Sequence, residues 1–91
     1  MWLRWTARAV SDLTRLHDFL SPVNPQAAAR AVQALVAAAE HLPQHPRIGR
    51  RLEQFRGREV RRTLVGEYEL RYEIRDEAII ILRLWHTRER R

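Results

Sequence analysis

Apolar and polar residues follow two periods along this chain, and the change of period divides it into a helical part and a stranded part. Trp2 to Thr6 is short, aromatic and apolar, and predicts a first strand. Val10, Leu13, Leu16, Phe19 and Leu20 then recur at the three-to-four spacing of an amphipathic helix, with Arg8, Asp12, Arg15 and Asp18 on its polar side. Thr6 is the candidate N-cap, and Ser21-Pro22-Val23 ends the helix. Asn24-Pro25 starts a second one: Asn accepts free backbone N–H groups, and Pro suits a first helical position, where its missing donor costs nothing. This helix runs to about Leu42 on an apolar face of Ala28, Ala31, Val32, Leu35, Ala38, Ala39 and Leu42. So many alanines make it slim enough for close packing. Pro43 and Pro46 stop it, and a loop follows with Gly49, Arg50, Arg51, Arg56, Gly57 and Arg58, the most basic stretch of the chain.

The last third alternates. Val60, Arg62 and Leu64 interleave with Glu59, Arg61 and Thr63. After a turn at Gly66, Tyr68, Leu70, Tyr72 and Ile74 interleave with Glu67, Glu69, Arg71, Glu73 and Arg75, the pattern of a half-buried antiparallel strand. Asp76-Glu77 makes the next turn. Ile79 to Trp85 is apolar on both faces apart from Arg83, as a central strand would be, and His86-Thr87-Arg88-Glu89-Arg90-Arg91 follows as a basic tail. The order predicts an α+β fold: an N-terminal strand, a two-helix hairpin, then a three-stranded antiparallel meander, with the hairpin on one sheet face. The other face would turn Glu69, Arg71 and Glu73 to solvent or to a partner.

Composition narrows the class. The 91 residues suit a single domain, residues 1–91, since a second would have too little chain to bury its own core. At 45% hydrophobic and 31% charged the chain is globular rather than disordered. All 17 basic residues are Arg against 11 acidic ones, a formal charge of +6. That excess suits an acidic partner, nucleic acid or an acidic protein surface, or simply a solubilising one. Without Cys there is no disulfide, thiolate metal site or cysteine nucleophile. The longest apolar run, Ala78 to Leu82, is far short of the roughly 18 residues of a membrane span, and the opening residues form no signal peptide. A cytoplasmic protein is expected.

No catalytic set stands alone. There is no Gly-rich phosphate loop and no His-Glu-x-x-His pair, and the histidines at 17, 41, 45 and 86 lack metal-ligand spacing, so neither metal nor cofactor is expected. His86 is the most suggestive, among Arg83, Arg88, Arg90 and Arg91: it is a general acid or base beside phosphate-holding arginines, or a histidine hydrogen-bonded locally at a strand end. Trp85 beside it is an interface hot spot, a stacking platform, or a core plug at the sheet edge. Arg61, Arg62 and Arg71 lie on adjacent strands, but interleaved glutamates would pair with them and cancel much of their field.

Five stretches together resemble a known family. They are Ala9-Val10-Ser11-Asp12-Leu13, Asn24-Pro25-Gln26-Ala27-Ala28, Pro46-Arg47-Ile48-Gly49-Arg50, the strand pair from Arg58 through Gly66 to Tyr72, and Ile81-Leu82-Arg83-Leu84-Trp85-His86-Thr87-Arg88. Each is weak alone. The ordered set, spanning nearly the whole chain, resembles the ParE branch of the ParE/RelE superfamily, the toxin half of bacterial type II toxin–antitoxin pairs associated with plasmid stabilisation. The resemblance implies the RelE/ParE-like fold, growth inhibition and silencing by a ParD-like antitoxin. Its two branches imply two activities: ParE-like members poison DNA gyrase without being nucleases, and RelE-like members are ribosome-dependent mRNA endonucleases.

Departures from the nuclease pattern favour the first. Glu69 follows Tyr68 where those relatives carry Arg, no aromatic follows Trp85, and lysines are absent. A Glu–His acid–base pair of the kind some superfamily nucleases use would have to come from Glu59, Glu67 or Glu69 with His86. The expected function is therefore gyrase inhibition, with Trp85, His86, Arg88 and Arg90 as the target-binding surface. The alternative is endonuclease action with Arg61, Arg71, Arg83 and His86 around a phosphate. Direct nucleic-acid binding is left open, and no membrane partner is expected.

Overall fold

Thr6 shows how local sequence becomes tertiary structure. Its hydroxyl oxygen accepts the Ala9 N–H at 3.0 Å, capping helix α1 (Ala7–Leu20), and its O–H donates to the Leu82 carbonyl at 3.0 Å, 76 residues away. The computed structural model describes residues 1–89. Strand β1 (Trp2–Trp5) leads into α1. Helix α2 (Pro25–His41) starts as expected, with the Asn24 side chain accepting the Ala27 N–H at 3.0 Å and Pro25 in the first turn. A 3₁₀ turn, Leu42–Gln44, follows. Strands β2 (Arg50–Arg51), β3 (Glu59–Val65), β4 (Tyr68–Arg75) and β5 (Ala78–His86) complete the chain.

The fold is α+β, with the hairpin α1–α2 on one face of a five-stranded sheet ordered β1-β5-β4-β3-β2. The antiparallel β3–β4–β5 meander is present as read from the alternation. Two features go beyond that reading. β1 lies parallel to β5, from Trp2 opposite Ala78 to Trp5 opposite Ile81. Within the basic loop, Arg50 and Arg51 form a short antiparallel edge strand against Arg62 and Arg61.

The core lies between hairpin and sheet. Ala9 and Leu16 from α1, Leu35 and Ala39 from α2, and Leu70, Tyr72, Ile74, Ile79, Ile81 and Leu84 from the sheet form one buried cluster. The expected polar side of α1 needs correcting. Asp12 is buried, whereas Val10 and Phe19, placed on the apolar stripe by spacing, are exposed. Ala9, a small residue left off that stripe, is fully buried. Counting Ala9 rotates the buried stripe by about one residue and brings Asp12 inside it.

Asp12 is buried because β5 needs it there. β1 reaches only as far as Ile81, so the rest of the β5 edge has no strand beside it. Side chains of α1 take the place of that strand. The Leu84 N–H donates to Asp12 Oδ2 at 2.9 Å, and Arg15 Nη2 donates to the Leu84 carbonyl at 3.2 Å. Arg83 donates to both Asp12 oxygens, through Nε at 2.8 Å and Nη2 at 3.2 Å. Burial pushes the Asp12 carboxyl upward, but hydrogen bonds from Arg83, Leu84 and Arg15 and the Arg83 charge outweigh it, leaving its pKa below the usual carboxylate value. A bulge lies in this same stretch, with Leu82 as the extra residue between the Arg71–Arg83 and Tyr72–Ile81 pairs.

Candidate functional site

Residues opposite each other in the register share a face, which separates the charged side chains of the sheet into two groups. Arg61 and Thr63 pair with Tyr72 and Leu70 and lie on the helix face. Val60, Arg62 and Leu64 pair with Glu73, Arg71 and Glu69, and Trp85 pairs with Glu69, so these lie on the outer face. That face does not turn bare glutamates to solvent, as the alternation suggests. Glu69 and Glu73 are only 7% and 5% exposed.

An aromatic and arginine stack covers them. The Arg71 guanidinium carbon stands 4.7 Å from the centre of the Trp85 ring and 5.5 Å from that of Phe55, and Arg58 lies 5.6 Å from the Phe55 centre. The loop before β3 therefore folds back over the outer face through Phe55. Arg71 Nε is buried there without a hydrogen-bond partner, its guanidinium held by the two rings and by an Nη2 contact to Glu69 at 3.4 Å. Arg62 donates to Glu69 at 2.8 Å, and Arg58 grips both oxygens of Glu73 at 3.0 and 2.9 Å. The Arg58 hydrogen bond leads in holding the Glu73 pKa down, against the upward push of burial.

The positions expected to bear function fall as follows. Trp85 is buried under Arg71, so the core-plug alternative describes it and an exposed hot spot does not. Half-buried His86 lies on the helix face, edge-on to Tyr68 with ring centres 5.2 Å apart. Its Nδ1 accepts the Arg88 N–H at 3.1 Å, placing any ring hydrogen on Nε2. Arg88 is exposed, and Arg90 lies outside the described residues. Glu89 folds the tail back: its carboxylate accepts the His86 N–H at 2.8 Å and a hydrogen bond from Arg15. The four nuclease-type residues are not brought to one face, although Arg71 and Arg83 stand opposite each other across the β4–β5 pair. Arg61 binds Glu59 and the Gly49 carbonyl on the helix face, Arg71 is stacked on the outer face, Arg83 is held by Asp12, and His86 adjoins Tyr68. Among the described residues, no group of three or more His, Asp or Glu side chains is arranged to hold a metal ion.

Sequence reasoning missed Phe55 and the Gly49–Tyr72 contact. An isolated aromatic between polar residues, just before Gly57, was the available signal for Phe55. The Tyr72 O–H donates to the Pro46 carbonyl at 2.7 Å, and its oxygen accepts the Gly49 N–H at 2.9 Å. Burial pushes this phenol's pKa upward against the Gly49 hydrogen bond, so it remains a donor. Arg61 clamps the same turn by donating to the Gly49 carbonyl at 2.8 Å. Replacing Tyr72→Phe strands the Gly49 N–H and the Pro46 carbonyl, at roughly 1–3 kcal/mol for each buried group left unpaired. A lower urea midpoint at unchanged slope is the expected result, and an unchanged midpoint would refute it.

Known proteins share this fold and resemble this sequence. A solved structure described as the chromosomal ParDE TA system from P. aeruginosa superposes with a TM-score of 0.80 at 28% identity, covering 94% of this chain and 95% of that one. Toxin RelE3 of Caulobacter vibrioides is 39% identical over 92% of this chain and 91% of its own. Toxin RelE2 of the same organism is 37% identical over 91% of each. Fold and relatives define the class as toxins of type II toxin–antitoxin systems. Within that class the chain belongs to the ParE toxin family of parDE, whose family model matches residues 3–91.

Proposed function

We propose that this toxin acts by gripping DNA gyrase and blocking replication, without cutting nucleic acid itself, and that a cognate ParD-like antitoxin holds it silent in the cytoplasm. One observation carries the choice of binding over cleavage. Arg61, Arg71 and Arg83 are committed to Glu59, Glu69 and Asp12, and they do not converge with His86 on one point. A phosphodiester would have to displace those carboxylates before meeting the cations it needs. The gripping surface is proposed at the end of β5 and the tail, where Arg88 projects beyond His86 and Trp85 supports the strand from beneath Arg71, with Arg90 following.

Purified toxin is expected to inhibit gyrase supercoiling and accumulate cleaved DNA, while messages on translating ribosomes stay intact. Arg88→Ala is expected to weaken the effect on the order of tenfold, the loss of a modest interface hot spot, without lowering the melting temperature. A second reading, ribosome-dependent mRNA cleavage, is favoured by the RelE names of two relatives. Cut transcripts beside unimpaired gyrase would replace the first reading with the second.

A further inference from the structure

The edge of the sheet at β2 carries charge that the toxin does not neutralise. Arg50 lies opposite Arg62, and Arg51 opposite Arg61. Like charges facing each other across a strand pair are unfavourable unless something compensates. The inner arginines are compensated, Arg61 by Glu59 and Arg62 by Glu69. The outer ones are not: Arg50, Arg51 and Arg56, all exposed, have no acidic partner among the described residues. Residues 50–58 hold four arginines against a single carboxylate, the exposed Glu53, and Arg58 is taken by Glu73.

We propose that this edge is a site for the phosphodiester backbone of duplex DNA, bound without regard to sequence. Geometry favours a duplex over a single strand. Arg50 shares the outer face with Arg62, and Arg51 shares the helix face with Arg61, so the rim of the sheet at β2 carries free cations on both faces. A duplex sets a phosphate row on each side of its major groove, about 12 Å wide, so cations on both faces of the rim can be engaged at once. A single strand offers one row and would engage one face. Arg56, exposed in the loop that joins β2 to β3, adds a third free cation to this stretch. The site is separate from the β5 tail and does not depend on which enzyme or ribosome the toxin attacks.

Binding of the full chain to a labelled duplex, followed by anisotropy across a salt series without gyrase, tests this directly. Each phosphate neutralised contributes about 0.9 to the steepness of log affinity against log salt. Replacing Arg50→Gln, Arg51→Gln and Arg56→Gln together is expected to flatten the slope by about 2.7, and each single change by about 0.9. The single variants keep the test valid if the triple one folds poorly. Arg4→Gln, Arg8→Gln and Arg30→Gln remove equal charge from exposed arginines elsewhere and are expected to leave the slope unchanged. The proposal fails if wild-type toxin does not bind the duplex at low salt, if the β2 variants keep the full slope, or if the control set flattens it equally. A slope loss seen with single-stranded RNA but not with the duplex also overturns it.

Discussion

Asp12→Ala is expected to remove about 3 kcal/mol of stability, a large share of the roughly 5–14 kcal/mol available to a chain of this length. Alanine strands the Leu84 N–H and leaves Arg83 without its bidentate carboxylate. Orphaning one backbone donor costs about 1–3 kcal/mol, and losing one partner of a buried ion pair costs more, here moderated because the Arg83 side chain is 27% exposed. Asp12→Asn keeps an acceptor for Leu84 and is expected to fall between wild type and alanine. Urea midpoints rank the three, and Leu84 amide exchange should speed up most in the alanine variant. Equal midpoints for all three would show that the α1 side chains do not secure the β5 edge.

Acid should act on the same contact. The folded pKa of Asp12 lies below its unfolded value, so its contribution is complete above about pH 4 and is lost as pH falls through the lower folded value. Glu73, held down chiefly by Arg58, and Glu59, where Arg61 and Arg47 outweigh burial, add losses of the same sign. Stability is therefore expected to decline on acidification below about pH 5, first through the two glutamates and then through Asp12, and less steeply in Asp12→Asn.

Gly49→Ala is expected to be comparably severe, on the order of 3 kcal/mol, for a steric reason. A Cβ at this position would stand 2.7 Å from the Arg62 carbonyl oxygen and 2.7 Å from the Tyr72 hydroxyl. The first belongs to β3 backbone and cannot swing aside. The second can move only by giving up its hydrogen bonds to Pro46 and Gly49. Gly57→Ala separates this cause from backbone strain. Gly57 has a φ of +72° with open space around it, so alanine there should cost only about 1 kcal/mol. Tyr72→Phe in the Gly49→Ala background removes the clashing hydroxyl, though a ring carbon 2.9 Å away stays, so the pair should cost less than the sum of the single changes. Thermal melts of the four variants decide it, and equal losses at Gly49 and Gly57 would refute the steric account.

These results bear on what the chain discloses before it folds. Helix starts at Thr6 and Asn24 and the alternation from Glu59 to Arg75 are local signals, and they define the hairpin and meander correctly. The parallel pairing of β1 with β5 joins residues 76 apart and leaves no periodic trace. Periodicity alone puts Asp12 on the polar side, because a charged residue on an amphipathic helix ordinarily faces water, and the exposed edge that recruits it exists only once β5 is in place. The Pro46–Arg50 stretch was legible as a motif, but its role in seating a turn on Tyr72 was not, because that contact spans 23 residues. Arg61, Arg71, Arg83 and His86 look like one basic cluster in one dimension, and the two-residue period of a strand divides them between faces. The outer stack of Arg71 between Phe55 and Trp85 required a loop to fold back, which composition alone does not announce.

The parallel pairing also sets the order in which the sheet can close. The first strand synthesised finds its neighbour only in the last, so a nascent chain still lacking residues 78–86 has nothing to close its sheet against. Such closures are slow because distant segments must meet first. The amides of Trp2–Trp5 are therefore expected to gain exchange protection only together with those of β5 when the chain refolds.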